Sequence, residues 1–256
     1  MKFKQQPEVI LQELGIDAPE EIDLDLIAFT LNASVRRMIL SGCEGQIIGT
    51  HSRAIITINS NSDPGRQRFS LGHELGHWIN DRGKNLTYQC SDADMRQYTA
   101  GSTDFKRQKE VRANRFSAEL LMPSYLFNRY HPEREITGET VRYLSNLFNV
   151  SRTSASIRLV EATDRPCMIV CWNPSGKRKW FFRNSTVPES VWPHNMILQP
   201  SYTFGETNAI EVDADQWINS KGAEDYSLIE SQYYNGYDHL TLLWWKDESP
   251  LQNDDF

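Results

Sequence analysis

The chain has 256 residues, 39% of them hydrophobic, and a formal net charge of −7. This apolar content is enough for one large domain or two smaller ones with a buried core. No run of 18 apolar residues occurs, which excludes a membrane-spanning helix, and the first residues lack the apolar stretch of a secretory signal. Four cysteines without a C-x-x-C spacing favour free thiols, so we expect a cytoplasmic protein.

The N-terminal part predicts two short helices and a small antiparallel sheet. Apolar residues recur at helical spacing over residues 7–14 and again over 23–31. Three runs of strand-forming residues follow, at 35–40, 46–50 and 53–59.

Residues 73–77 form the motif His-Glu-x-x-His in a stretch that predicts a helix. His73 and His77 then lie one turn apart on one face, so both can direct an imidazole nitrogen at a single metal ion. Glu74 lies about 100° around the helix, where its carboxylate can act as general base on a water at the metal. The alternative is a structural pair of histidines that have this spacing by chance.

The context of the motif favours the metal site. Asp63 followed by Pro64 is typical of a helix start, with an N-cap and a proline at the first helical position. Gly72 and Gly76 each cost about 1 kcal/mol inside a helix. That cost is easier to understand if another backbone passes close by.

A catalytic zinc site needs a third protein ligand, and a second helix predicted over residues 108–122 offers one. Glu110 and Asn114 lie four residues apart on the face that carries small side chains, whereas Glu119 lies on the opposite side. Glu110 is therefore the candidate ligand, and Asn114 can hydrogen-bond the second nitrogen of a ligand histidine. The alternative for Glu110 is a solvated charge among neighbouring lysines and arginines.

These two stretches resemble the ImmA/IrrE family of zinc-dependent endopeptidases, which belongs to the gluzincin group. The resemblance rests on RFSLGHELGHWIN at residues 68–80 and EVRANRFSAELLMP at residues 110–123, and it covers roughly residues 5–160. It implies one Zn²⁺ per chain and a role for five residues: ligands His73, His77 and Glu110, catalytic base Glu74, and Asn114 as hydrogen-bond support. From the ligand types alone, Mn²⁺ or Fe²⁺ stays open.

The resemblance also implies a substrate class. Members of the family are intracellular proteases that act on selected proteins, notably helix-turn-helix repressors of mobile elements or of stress genes. It therefore implies a protein substrate that is a basic helix-turn-helix transcriptional repressor. In gluzincin-like enzymes an edge strand before the metal helix pairs with the substrate backbone, and residues 54–58 are our candidate, with Ala54, Ile56 and Ile58 as substrate-binding residues. The alternative is that this strand belongs to the core.

The polar stretch of residues 81–104 lacks clear periodicity, and we expect it to form a rim or lid over the cleft. Hydrolysis of a peptide bond also needs a donor to the developing oxyanion. The sequence does not choose among the candidates, which are Tyr88, Arg96, Tyr98, Tyr125, Tyr130 and His131.

Residues 137–162 predict two helices joined by a short turn, in the manner of a helix-turn-helix unit. Four arginines are offset by five acidic residues between residues 131 and 164, whereas a phosphate-binding surface is basic. This balance argues against DNA binding. A related helical unit follows the peptidase core in family members, so the resemblance favours a scaffold role.

The part after residue 165 predicts a strand-rich domain that holds six of the seven tryptophans. The stretch from Glu206 to the last residue contains twelve acidic and two basic residues. An acidic surface repels nucleic acid and attracts basic proteins, so we expect it to recruit a repressor substrate. The alternative is a surface that serves solubility only.

Together these patterns predict an α+β protein in three parts. Residues 1–131 form a zincin-like metallopeptidase core of a small antiparallel sheet and active-site helices, residues 132–164 a helix-turn-helix-like unit packed on it, and residues 165–256 an acidic sensor or recognition domain. The function predicted is a cytoplasmic zinc endopeptidase that acts on a transcriptional repressor. Two alternatives stay open: a non-proteolytic zinc protein that regulates by partner binding, and a DNA-binding regulator that uses residues 137–162.

Overall fold

A computed structural model describes residues 5–82, 86–92, 94, 105–131, 134–197 and 204–252. The chain divides into two compact units, Met1–Arg129 with Leu147–Ser151 and Tyr130–Asn146 with Arg152–Phe256. Both units combine helices with a sheet, and the second is rich in strands, which confirms the predicted α+β class. The three predicted segments, 1–131, 132–164 and 165–256, stay a prediction. Within the described ranges, no helix is both long and apolar enough to cross a membrane.

The first part of the chain contains nine described α-helices and β-strands. In order they are α1 (Pro7–Glu13), α2 (Leu24–Thr30), β1 (Ala33–Met38), β2 (Gly45–Gly49), β3 (Ala54–Asn59), α3 (Pro64–Asp81), β4 (Leu86–Cys90), α4 (Phe105–Leu121) and α5 (Ser124–Tyr130). The four strands form one sheet in the order β1-β3-β2-β4. The pairs β2–β3 and β2–β4 are antiparallel, but β1 runs parallel to β3.

This strand order corrects the prediction that residues 54–58 form an edge strand. β3 lies between β1 and β2, so its backbone hydrogen bonds are used on both sides. The side chains of Ala54, Ile56 and Ile58 are buried in the core, at 4%, 0% and 0% exposure. β3 therefore has neither a free edge nor open side-chain pockets for a substrate, and these three residues are core residues.

The stretch expected to be a rim or lid begins differently from the prediction. α3 extends to Asp81, and residues 86–90 form β4, which pairs with β2 from Leu86↔Gly49 to Cys90↔Gly45. In the described part of the sheet, β4 is an edge strand. Most of residues 91–104 lie outside the described residues, so the lid itself stays a prediction.

α3 carries the His-Glu-x-x-His motif, and its start follows the expected pattern. The Asp63 side chain accepts a hydrogen bond from the Arg66 backbone N–H at 2.9 Å, and Pro64 occupies the first turn. Gly72 and Gly76 face α4: a Cβ at Gly72 would lie 2.5 Å from Ser117 Oγ, and one at Gly76 would lie 3.0 Å from the Cα of Ala113. The two glycines thus permit a close contact between α3 and α4. The unfavourable helix propensity of glycine at these positions had indicated such a contact.

The second unit is built on a larger sheet. Its described α-helices and β-strands are α6 (Gly138–Phe148, whose last two residues belong to the first unit), α7 (Arg152–Ala162), β5 (Cys167–Trp172), β6 (Arg178–Arg183), β7 (Gly205–Glu206), β8 (Ile210–Asp213), β9 (Ser227–Tyr234) and β10 (His239–Trp244). The sheet has the order β6-β5-β10-β9-β7, and β8 also pairs with β9. Trp172, Trp217 and Trp245 are buried in its core, as the concentration of tryptophan indicated.

Candidate metal centre

Two histidines of α3 form the base of a buried polar cluster. His73 and His77 are 0% and 1% exposed, and their Nε2 atoms lie 3.0 Å apart. One turn of helix separates them, so their rings meet edge to face with centroids 4.7 Å apart. Both Nε2 atoms thus point to one place.

Glu110 of α4 completes a set of three converging donor atoms. Its Oε2 lies 3.2 Å from Nε2 of His73 and 3.3 Å from Nε2 of His77. The side chain is 2% exposed, so it is not the solvated charge that was the alternative interpretation. Although burial raises the pKa of Glu110, its hydrogen bonds with both histidines outweigh this effect and hold the pKa below its usual value.

Each histidine also has a polar partner on its other nitrogen. Asn114 Oδ1 lies 2.8 Å from Nδ1 of His73, so this nitrogen donates the proton and Nε2 keeps its lone pair. Asp81 Oδ2 lies 3.9 Å from Nδ1 of His77. Burial lowers the pKa of His77, but the carboxylates of Asp81 and Glu110 outweigh it and raise the pKa to about 9.

Asp81 and His77 are themselves held in place by neighbouring side chains. The Asp81 carboxylate accepts a hydrogen bond from Arg112 Nη2 at 3.1 Å. The Tyr88 ring stacks on the His77 ring with centroids 4.6 Å apart, and the Tyr88 hydroxyl accepts a hydrogen bond from Lys109 Nζ. These contacts fix the orientation of the His77 ring, as the binding of a metal ion requires.

The Glu74 carboxylate lies in the same buried region but makes no comparable contacts. The residue is 0% exposed, and among the described residues neither carboxylate oxygen makes a hydrogen bond of normal geometry, although the Cys90 thiol lies close enough to interact with the carboxylate. Burial raises the pKa of Glu74 to about 7. A buried carboxylate with so little hydrogen bonding is costly, so its position points to a group that it serves, such as a water or a substrate.

Cys90 is the member of the cluster that sequence reasoning missed. It ends β4, is 1% exposed, and its Sγ lies 3.5 Å from Nε2 of His77 and 3.7 Å from Oε2 of Glu110. The ligand atoms of four residues lie within 4.8 Å of one another: His73, His77, Cys90 and Glu110. The sequence contains no spacing pattern that would have linked this cysteine to the motif.

The predicted oxyanion donors lie in different places. Tyr88 lies against a candidate ligand histidine, as described above. The Tyr125 hydroxyl donates to the backbone carbonyl of Ile16 at 2.7 Å, and His131 is buried in the second unit. Arg96 and Tyr98 lie outside the described residues, whereas Tyr130 ends α5.

The sequence of this chain matches the model of a known protein family. Residues 32–160, half of the sequence, match the peptidase family M78 model, described as the IrrE N-terminal-like domain. The chain belongs to this family. The match includes α3, β4 and α4, and so all the residues of the buried cluster.

Similarity to curated proteins supports this assignment. The chain is 29% identical over 153 residues to the radiation response metalloprotease IrrE of Deinococcus radiodurans, covering 58% of this chain and 43% of that protein. It is 32% identical over 112 residues to the protein of the same name from Deinococcus deserti, covering 44% and 38%. An uncharacterized immunity region protein 2 of Bacillus phage phi105 is 35% identical over 75 residues, covering 29% and 42%. The chain thus spans about two fifths of the length of these relatives.

One solved structure resembles almost the whole chain. A Mycobacterium tuberculosis transcriptional regulator superposes with a TM-score of 0.56 at 13% identity, covering 96% of this chain and 77% of that one. At this identity the likeness concerns the fold alone.

The residues of the cluster fit a divalent metal ion. Two imidazole nitrogens, a carboxylate oxygen and a thiol sulfur are all donor types that transition metals accept, and their atoms converge in a buried place. Together with membership of a metallopeptidase family, this indicates a metal-binding site.

Proposed function

We propose that this protein is a zinc-dependent endopeptidase that cleaves a protein substrate. The proposal depends on one observation: three ligand atoms from His73, His77 and Glu110 converge beside the buried carboxylate of Glu74, which accepts no hydrogen bond of normal geometry from the described residues. A structural histidine pair would not need such a carboxylate. Hydrolysis does, because a water has to be deprotonated next to the scissile carbonyl.

His73, His77 and Glu110 would hold the zinc ion, with Asn114 and Asp81 orienting the two imidazoles. A bound zinc ion supplies Lewis acidity, which polarises a peptide carbonyl and lowers the pKa of a water. The burial of all three ligand residues keeps bulk water away from the centre.

Glu74 would be the general base. Its carboxylate takes a proton from the attacking water and then transfers this proton to the nitrogen of the leaving amine. A pKa raised to about 7 by burial suits both steps, since the group can gain and lose a proton near neutral pH.

The substrate backbone would pair with β4. This strand has β2 as its partner on one side and is an edge strand in the described part of the sheet. It also leads directly into the cluster, because Tyr88 stacks on His77 and Cys90 lies beside Glu110. Strand addition supplies affinity through main-chain hydrogen bonds. β4 thereby takes the role that the sequence had suggested for residues 54–58.

The substrate class we propose is a basic helix-turn-helix repressor. Two relatives are named for a radiation response and one for a phage immunity region, which are settings of regulated gene expression. The exposed acidic side chains of the second unit would attract the basic DNA-binding surface of such a substrate. They are Glu211, Asp213, Asp215, Glu224 and Asp225.

A second candidate is a non-proteolytic regulator in which the metal is structural. The observation that favours it is Cys90, since four protein ligands are typical of a closed structural zinc site. In that case Glu74 would have no part in the function.

The test combines metal analysis with one substitution. We expect about one zinc per chain in wild type and in Glu74→Gln, and cleavage of a repressor encoded in the same genome by wild type only. Glu119→Gln is a matched control, because Glu119 lies on the same helix as Glu110 but forms an ion pair with Arg115 at 2.8 Å. Equal repressor loss with wild type and Glu74→Gln, or no metal in either protein, would contradict the proposal.

A further inference from the structure

The thiol of Cys90 occupies a defined position in the cluster. Cys90 pairs with Gly45 across the antiparallel β2–β4 ladder, and its carbonyl accepts a hydrogen bond from the Glu44 N–H at 2.9 Å. Gly45 has no side chain, and the Glu74 carboxylate occupies the space next to its Cα, where a side chain would otherwise lie. The thiol is thereby directed from the strand end at His77 and Glu110.

The residues after Cys90 are tied to the helix that carries Glu110. The Asp94 carboxylate accepts hydrogen bonds from the Ser91 N–H at 2.9 Å and the Ser91 hydroxyl at 2.7 Å. The Asp94 carbonyl accepts one from Asn114 Nδ2 at 3.1 Å. Asn114 thus contacts both the His73 ring and the turn that follows Cys90. The position of the thiol is coupled to the position of the histidines.

We propose that the Cys90 thiolate is the fourth protein ligand of the metal ion and closes the centre in its resting state. The inference builds on the metal-binding part of the proposed function and adds a regulatory feature to it. Metal binding displaces the thiol proton to solvent, and sulfur then completes a set of two nitrogens, one oxygen and one sulfur. Four protein ligands leave no position for the water that a hydrolytic centre needs.

The consequence is that the peptidase is held inactive while Cys90 stays bound. Activity requires the sulfur to withdraw, which a movement of β4 would achieve because Cys90 is the last residue of that strand. A substrate strand pairing with the edge of β4 is the event that would move it. Binding of the substrate and opening of the centre would then be coupled.

Cobalt substitution tests the ligand directly, without any measurement of activity. A thiolate ligand gives Co²⁺ an intense near-ultraviolet charge-transfer absorption that nitrogen and oxygen ligands do not give. We expect this absorption when metal-free wild type is titrated with one equivalent of Co²⁺. We expect its loss in Cys90→Ser, together with a Co²⁺ affinity at least about tenfold weaker. Cys43→Ser is the matched control and should keep the absorption, because Cys43 is not among the four clustered residues.

Each result decides the proposal. Absence of the absorption in wild type would overturn it and needs no variant that folds. Persistence of the absorption in a folded Cys90→Ser protein would also overturn it. Loss of the absorption in Cys90→Ser alone, with the control unchanged, would support it.

The same variants separate this inference from the peptidase proposal. If the peptidase proposal is correct, Cys90→Ser loaded with zinc should cleave a repressor substrate faster than wild type. A cobalt–thiolate absorption without cleavage by either protein would keep Cys90 as a ligand and reject the peptidase. Cleavage by wild type without the absorption would keep the peptidase and reject Cys90 as a ligand.

Discussion

Gly45 of β2 and Glu74 of α3 are in such close contact that a Cβ at position 45 would lie 2.7 Å from Glu74 Oε1. The glycine is therefore required by the carboxylate beside it. The carboxylate is the end of a flexible side chain, so an added methyl group would displace it rather than unfold the protein.

Gly45→Ala should reduce the rate of peptide cleavage while leaving the metal site intact. A displacement of about 1 Å in a general base is enough to cost on the order of 100-fold in rate. The measurement is the turnover of a protein substrate, together with zinc content by elemental analysis. Gly65→Ala on α3 is the control, since its Cβ would meet Asp63 Oδ1 at an ordinary 3.4 Å. Loss of zinc together with activity would show that Gly45 serves folding and not the position of Glu74.

The contribution of α3 to the site could be predicted from the sequence because the relevant relations are local. Helical geometry alone places His73 and His77 on one face, and the N-cap at Asp63 lies ten residues before the motif. Glu110 and Asn114 required one further step, the contact of two helices, and Gly72 and Gly76 indicated it. In each case a pattern within one helix limited which distant residues could meet at the site.

Removing the polar partners of the histidines should weaken metal binding. Asn114→Ala removes the acceptor 2.8 Å from Nδ1 of His73, and Asp81→Asn removes the carboxylate near Nδ1 of His77. Each change should lower the zinc affinity about 10- to 100-fold, because the imidazole loses its orientation and basicity. Competition with a chromogenic chelator measures this. Arg115→Ala, next to Asn114 but exposed, should bind zinc as wild type does.

The metal-free protein should become less stable as the pH rises, because of Glu74. Burial raises the pKa of Glu74 from 4.5 to about 7, so the folded state favours the protonated form. The stability from this group is fully present below pH 4.5 and is lost as the pH rises through about 7. Glu74→Gln removes this loss, which amounts to about 3 kcal/mol.

Urea unfolding of both metal-free proteins at pH 5 and pH 8 measures the effect. The stability of Glu74→Gln relative to wild type should increase between the two values. His77, with a pKa raised to about 9, also lowers stability above pH 6.5, and the Glu74 charge is one of the causes of that raised pKa. The difference between the two proteins therefore reports Glu74 together with its interaction with His77. An unchanged difference between pH 5 and pH 8 would mean that Glu74 is hydrated in the metal-free protein.

The strand arrangement around the site could not be predicted, because it depends on pairings between distant residues. β4 is five residues long within a polar stretch, and its pairing with β2 joins residues about 40 positions apart. β3 is internal because β1 pairs with it in parallel. If β1 had instead formed a local hairpin with β2, β1 would not cover the second edge of β3. Cys90 was missed and residues 54–58 were assigned to an edge for the same reason.

Neutralising the acidic surface of the second unit should slow cleavage of a basic repressor, and more so at low salt than at high salt. The four exposed residues to change are Asp213, Asp215, Glu224 and Asp225, as Asn or Gln. Attraction between exposed charges is screened over about 10 Å at 0.1 M salt, so the effect should be on the order of tenfold at 20 mM salt and nearly absent at 0.5 M. The measurement is kcat/KM at both salt concentrations.

A short neutral peptide that contains the cleavage site is the control, and wild type and the variant should cleave it equally. Equal rates on the whole repressor at both salt concentrations would show that the acidic surface does not recruit the substrate.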